Sequence, residues 1–183
     1  MSERDLPGLW DAAWEILEEG AREARSPARL VTLATIGAHG PEARTLALRE
    51  ADRAEARIDL HTDAGTFKVA ELRADPRASL LVWHPGRQIQ LRLRCLGRVL
   101  TDGPKVDASW NVVPSQQRWN YGAEPPPGRP IPAPDAYARR EDKAGFAIIE
   151  LSLHVMDLVD LSEPHARARF ARDGDFDGAW ASP

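Results

Sequence analysis

The chain has 183 residues, 43% of them hydrophobic and 28% charged, with a formal net charge of −4. That balance fits a globular, water-soluble protein of one domain spanning 1–183 and argues against a life on a nucleic-acid backbone, which calls for excess positive charge. Cys95 is the sole cysteine, so an internal disulfide and a cysteine-built zinc site are both excluded.

The first residues, MSERDLPGLWDAAWEIL, lack a basic region followed by an apolar run. They are not expected to act as a signal peptide, and no stretch reaches the ~20 apolar residues of a membrane span. A cytoplasmic protein without membrane contact is expected. Residues 7–25 are expected to form a helix, because Leu9, Trp10, Ala13, Trp14, Leu17 and Ala21 recur at spacings of three and four.

The period then changes to two. Arg29–Ile36 is apolar and β-branched, Gly37–Pro41 is a turn, and Glu42–Glu50 alternates. In that second strand Arg44, Leu46 and Leu48 share one face, and Thr45, Ala47 and Arg49 the other. A polar connection leads to a third strand, Ala56–Thr62. Phe67–Arg73 reads as a short helix stopped before Pro76. Ala78–Trp83 is almost wholly apolar, which predicts a strand covered on both faces. Arg87–Cys95 alternates, and an apparent slip at Leu96–Gly97 predicts a bulge before the strand resumes at Arg98.

Asp102–Trp119 is expected to be helical in two pieces, broken at Pro114. Residues 124–134 carry six of the fifteen prolines and can be neither helix nor central strand; an extended loop over about 121–135 is expected. Asp135–Lys143 is read as a short helix, Gly145–Leu161 as strand, and Arg167–Trp180 as a final hairpin around Asp173-Gly174-Asp175. The fold class is mainly β with flanking helices, an antiparallel barrel.

Thr62, Gly65, Thr66 and Lys68 crowd a strand-to-helix junction. A helix start offers unpaired N–H groups, and with Arg44 and Lys68 as cations and Thr66 as hydroxyl donor the junction can seat a phosphate. The same residues also fit a plain capped turn with a solvated lysine. The small face of the second strand would let a flat ligand approach the backbone, with Arg49 holding an acidic group; a solvent-facing strand fits equally well. Gln88, Gln90, Arg92 and Arg94 form a polar stripe: a groove for a polar aromatic ligand or RNA, a wet sheet face, or a dimer seam. The five histidines show no metal-binding spacing, and no Gly-x-Ser-x-Gly or Walker loop occurs. No metal site and no catalytic residue is assigned. Any redox reactivity would belong to a cofactor.

Four segments, RTLALR (44–49), DLHTDAGTFKVAEL (59–72), DPRASLLVW (75–83) and GRQIQLRLRCLGRV (86–99), together resemble the flavin-binding split-barrel family related to pyridoxamine 5′-phosphate oxidase. The resemblance implies a split β-barrel homodimer with flavin mononucleotide (FMN) between the subunits. It implies that Arg44, Thr66 and Lys68 hold the FMN phosphate, and that Thr45, Leu46, Ala47 and Leu48 run along the isoalloxazine with Arg49 at their end. His61 and Thr62 would touch the cofactor, Gln88 would reach it from the neighbouring subunit, and Arg169 would contact it from the tail. Phe67 stands where a second phosphate-binding arginine is common, and Val113 near the position of the oxidase's substrate-phosphate arginine. An FMN-dependent oxidoreductase acting on a small substrate or electron donor is therefore expected, closer to oxidase-related FMN-binding proteins than to the oxidase itself. The alternatives are a non-catalytic flavin carrier or sensor and, more weakly, a single-strand nucleic-acid binder.

Overall fold

The computed structural model describes residues 5–183. The first helix, α1 (Leu6–Arg22), starts where the Asp5 side chain accepts from the Gly8 amide at 2.7 Å, with Pro7 in the first turn. It stops at Arg22 rather than residue 25. Ser26 there caps a short 3-10 turn, Pro27–Arg29, that redirects the chain. The apolar stripe of α1 buries Trp14, Ile16 and Leu17 completely.

Strands β1 (Leu30–Gly37), β2 (Gly40–Asp52), β3 (Arg57–Asp63), β4 (Arg77–His84), β5 (Ile89–Leu100) and β6 (Phe146–Asp160) are antiparallel. They run in the order β3-β2-β1-β4-β5-β6, and β6 pairs back onto β3. This closes a six-stranded barrel with no free edge among those strands. The hairpin partners β7 (Ala166–Ala171) and β8 (Ala179–Ala181) extend from β6. Between β3 and β4 lies α2 (Phe67–Ala74), and after β5 come α3 (Pro104–Val112) and α4 (Ser115–Arg118), separated at Pro114 as expected. The barrel interior is filled by Leu33, Leu48, Ile58, Leu60, Leu80, Leu91 and Leu93. A second cluster, with Trp110, Tyr121 and Phe146, packs α3 against the outside of β6.

Three further expectations are corrected. β4 is not covered on both faces: its burial alternates, leaving Leu81 42% and Trp83 43% exposed. The β5 alternation does not slip, because Leu96 points outward and Gly97 inward. A Cβ on Gly97 would lie 2.9 Å from Leu72 Cδ2 of α2, so a larger residue there would have to displace that side chain. The irregularity falls across from β5: Arg94 pairs with Val155 and Cys95 with Leu153, so His154 is the extra residue and β6 carries the bulge. Last, 135–143 forms no α-helix, and only Lys143–Gly145 makes a 3-10 turn.

The proline-rich segment is irregular, as expected. It folds over the start of α2: a Cβ on Gly65 would sit 2.7 Å from Pro126 Cβ, and Gly128 (φ +88°) abuts the Phe67 ring. The Arg129 guanidinium stacks 4.7 Å above that ring. Among the described residues no helix is long and apolar enough to cross a membrane.

Candidate functional site

The β3–α2 junction is built from local hydrogen bonds. Asp63 Oδ1 accepts from the Gly65 amide at 2.7 Å, and its Oδ2 accepts from the Gly122 amide at 2.8 Å, tying the junction to the distal loop. Thr66 precedes α2 in extended conformation, yet its hydroxyl donates to the Asp63 carbonyl at 2.8 Å instead of capping the helix. The first amides of α2 therefore keep their donor capacity for another acceptor.

Arg44, Thr66 and Lys68, drawn from β2, the junction and α2, line one cavity of about 580 Å³, walled also by Phe67, Pro127 and Gly128. Lys68 Nζ donates to Thr62 Oγ1 at 3.2 Å. Burial pushes the Lys68 pKa down, the Arg44 charge pushes it further, and Asp63 and Glu71 offset part of this. Arg44 bonds Thr35 Oγ1 and pairs with Glu71 at 3.0 Å. The lining thus carries two cations, Arg44 and Lys68, and two carboxylates, Glu42 and Glu71, of which Glu71 is already paired with Arg44.

Farther along β2 the surroundings change. Leu48 is fully buried and Leu46 partly so, while Ala47 is half-buried and Thr45 exposed. At the end of the run, Arg49 and His61 line a second cavity of about 280 Å³ with Arg29, Ser109, Val113 and Gln117. Arg49 Nε and His61 Nδ1 are buried there without hydrogen-bond partners. Burial, then the charges of Arg49, Arg29 and Lys105, lower the His61 pKa to about 4, so the ring is neutral at pH 7. Five residues at ~3.3 Å each separate Arg44 from Arg49 by about 16 Å along the strand.

The remaining sequence-selected residues lie elsewhere in this chain. Gln88 is exposed in the β4–β5 turn, before the strand begins, with φ +55°. Arg169 is exposed on β7 and lines a groove with Arg94 and Arg167. The polar stripe is partly neutralised, because Arg92 pairs with Asp157 at 2.6 Å. Cys95 is buried, and burial pushes its thiol up to about 12, which makes it inert. Among the described residues no group of three or more His, Cys, Asp or Glu could hold a metal ion.

Some participants had no signal in the sequence. Glu71, the Arg44 counter-ion, reads as an ordinary helix glutamate, and Arg29 as the first residue of a strand. Lys105 was missed as well: its ammonium sits 2.6 Å from Asp59 and 2.7 Å from Glu150. Asp59 is 2% exposed, and burial raises its carboxyl to about 6, Lys105 offsetting only part of the penalty.

Residues 17–160 match the family model described as pyridoxamine 5′-phosphate oxidase. Among solved structures, a pyridoxamine 5′-phosphate oxidase-related, FMN-binding protein from Nostoc punctiforme PCC 73102 aligns over 95% of this chain and 97% of its own, at 22% identity and TM-score 0.75. PhzG from Burkholderia lata 383, solved with tetrahydrophenazine-1-carboxylic acid, aligns over 97% and 91% at 19% identity and TM-score 0.72. A protein from Clostridium acetobutylicum related to general stress protein 26 of B. subtilis aligns over 93% and 98% at 15% identity and TM-score 0.61. At these identities the likeness is one of fold. No curated protein matches the chain.

Proposed function

The chain belongs to the pyridoxamine 5′-phosphate oxidase family, and on that premise we propose that it is an FMN-binding oxidoreductase acting on a small substrate. The observation that carries this reading is the convergence of Arg44, Thr66 and Lys68 on one cavity from separate segments. A dianionic phosphate there would take charge-assisted bonds from both cations and accept from the free amides at the start of α2.

The residues present fit the rest of FMN as well. The backbone of Thr45 to Leu48 would lie along the ring system, with Thr62 beside the phosphate end. Arg49 Nε and His61 Nδ1, orphaned in the bare chain, offer polar atoms at the ring end. When bound, the flavin would supply hydride acceptance or donation. The protein would orient it and keep His61 uncharged.

A homodimer completes this reading. The outer face of β1, β4 and β5 exposes Leu30, Ile36, Leu81, Trp83 and Leu96, an apolar surface that a second copy would cover. Gln88 and Arg169 would then serve the partner's flavin. Val113, buried and apolar, argues against a substrate held by its phosphate at that position.

An absorption spectrum of the purified protein, followed by titration with FMN and with riboflavin, tests the proposal. Flavin bands and a marked preference for FMN are expected; a protein that binds neither overturns it. Anaerobic NADH or NADPH should bleach the bound flavin, whereas flavin left oxidised by every donor identifies a carrier or sensor.

A further inference from the structure

The cavity between β2 and α2 is short of positive charge for a dianion. Arg44 and Lys68 line it against Glu42 and Glu71, so the formal charges cancel. The amides that open α2 add only partial positive charge. A further cation stands at the wall. The Arg129 guanidinium lies 4.7 Å above the Phe67 ring, and that ring lines the cavity. Arg129 is exposed, and among the described residues no carboxylate pairs with it. The segment that carries it is fastened on both sides of the β3–α2 junction. The Gly122 amide donates to Asp63 Oδ2 at 2.8 Å, and Glu124 and Ala138 exchange backbone hydrogen bonds at 2.9 and 2.8 Å. The Arg129 amide donates to the Pro126 carbonyl at 3.2 Å, closing a turn, and Gly128, at φ +88°, brings that turn against the Phe67 ring.

We propose that Arg129 is a phosphate-binding residue, delivered to this cavity by the proline-rich segment and held there on the face of Phe67. A guanidinium lying over a ring uses its face in that contact, which leaves its in-plane N–H groups free for phosphate oxygens. With Arg129 at the wall, three cations oppose two carboxylates, and a doubly charged phosphate meets a net positive surface instead of a neutral one. The prolines around Arg129 restrict the conformations open to the segment, so little ordering cost falls on binding. The inference rests on the flavoprotein reading for the identity of the ligand and adds to it a specificity residue, one that separates phosphorylated flavin from riboflavin.

Calorimetric titration of the full chain, stripped of flavin, with FMN, riboflavin and phenyl phosphate tests this. Arg129→Ala, an exposed change, should weaken FMN about fivefold or more, and phenyl phosphate with it, while riboflavin affinity and Tm stay at wild type. Arg129→Lys should restore part of the loss, as a point charge without the planar fork. Phe67→Leu should weaken FMN about threefold or more by removing the ring beneath the guanidinium, and the double variant should bind FMN within about twofold of Arg129→Ala alone. Wild-type FMN affinity in Arg129→Ala, equal losses for FMN and riboflavin, or losses that multiply in the double variant each overturn the proposal. The first of these outcomes leaves the flavin reading intact. If the chain takes no FMN but binds phenyl phosphate in an Arg129-dependent way, the flavin reading falls and the Arg129 phosphate contact stands.

Discussion

Arg44 and Glu71 form an ion pair at 3.0 Å on the wall of the cavity that Lys68 also lines, with side chains only 22% and 13% exposed. The guanidinium is therefore held in place before any ligand arrives, and an incoming phosphate meets a preset cation. Arg44→Ala and Lys68→Ala should each weaken FMN by ~1.5–3 kcal/mol, the worth of one charge-assisted contact. Riboflavin affinity should stay near wild type, since it has no phosphate. Fluorescence titration with the two flavins measures both, and equal losses for both would remove the phosphate assignment.

Gly97 links barrel and site. A Cβ there would press on Leu72 Cδ2 at 2.9 Å and Leu151 Cδ2 at 3.3 Å, and Leu72 anchors the helix that carries Lys68. Gly97→Val should cost ~1–3 kcal/mol of stability by overpacking. It should also weaken FMN by displacing α2, although Gly97 itself lies outside the cavity. Thermal melts and FMN titration of the same preparation check this; a lowered Tm with unchanged FMN affinity would show that α2 does not depend on that contact.

How legible this was varies with the physics. Strand boundaries in β1 to β3 and the break at Pro114 follow from period and proline chemistry, which are local. The reading of β4 failed because alternation is hidden when outward positions are also apolar: Leu81 and Trp83 look like core. Gly97 was misread for the opposite reason, since a glycine at an inward position imitates a phase slip. Arg44 and Lys68 were legible as cations, but only closure of the barrel puts them together. Arg29, Glu71 and Lys105 matter through partners 8 to 46 residues away in the chain, and no local pattern encodes such pairings.

Lys105 illustrates that last class. Its ammonium bridges Asp59 and Glu150 at the barrel wall. Lys105→Met would leave the Asp59 carboxylate buried, with Arg57 no nearer than 3.8 Å. The expected loss is about 3 kcal/mol at pH 7.5, the cost of an uncompensated buried charge. At pH 5, below the Asp59 value of about 6, that carboxyl is protonated and the loss should shrink. Urea melts at the two pH values decide it; an equal loss at both would mean the lysine acts through packing alone.

His61 sets a pH signature of its own. Its folded pKa is lowered to about 4 from an ordinary 6.5, so acid protonates the unfolded chain first. The His61 contribution is fully present above pH 6.5 and is lost as pH falls toward 4, about 3 kcal/mol in all. Asp59 opposes this in the same range, because its raised pKa favours the folded state on acidification. The wild-type minus His61→Gln stability difference removes the Asp59 effect, which is common to both proteins. That difference should decline steadily from pH 6.5 to 4 in flavin-free protein, and a flat difference would show that the imidazole is not buried as described.

The proposed dimer can be tested by where Gln88 works. Leu81 and Trp83 face outward on β4, opposite Arg92 and Gln90 of β5. Wild type should sediment at twice the 20.2 kDa chain mass, and Leu81→Arg combined with Trp83→Arg should give monomers, because two charges would have to be buried unpaired. FMN affinity should fall in those monomers, as in Gln88→Ala, although every phosphate contact is intact. Mixing Gln88→Ala with Arg44→Ala chains separates the contributions. If Gln88 acts across the interface, each mixed dimer holds one site with both defects and one with neither, so high-affinity FMN binding reappears at half the sites of the mixed dimers, about a quarter of all sites on random pairing. If Gln88 acts within its own chain, every site keeps one defect and mixing restores nothing.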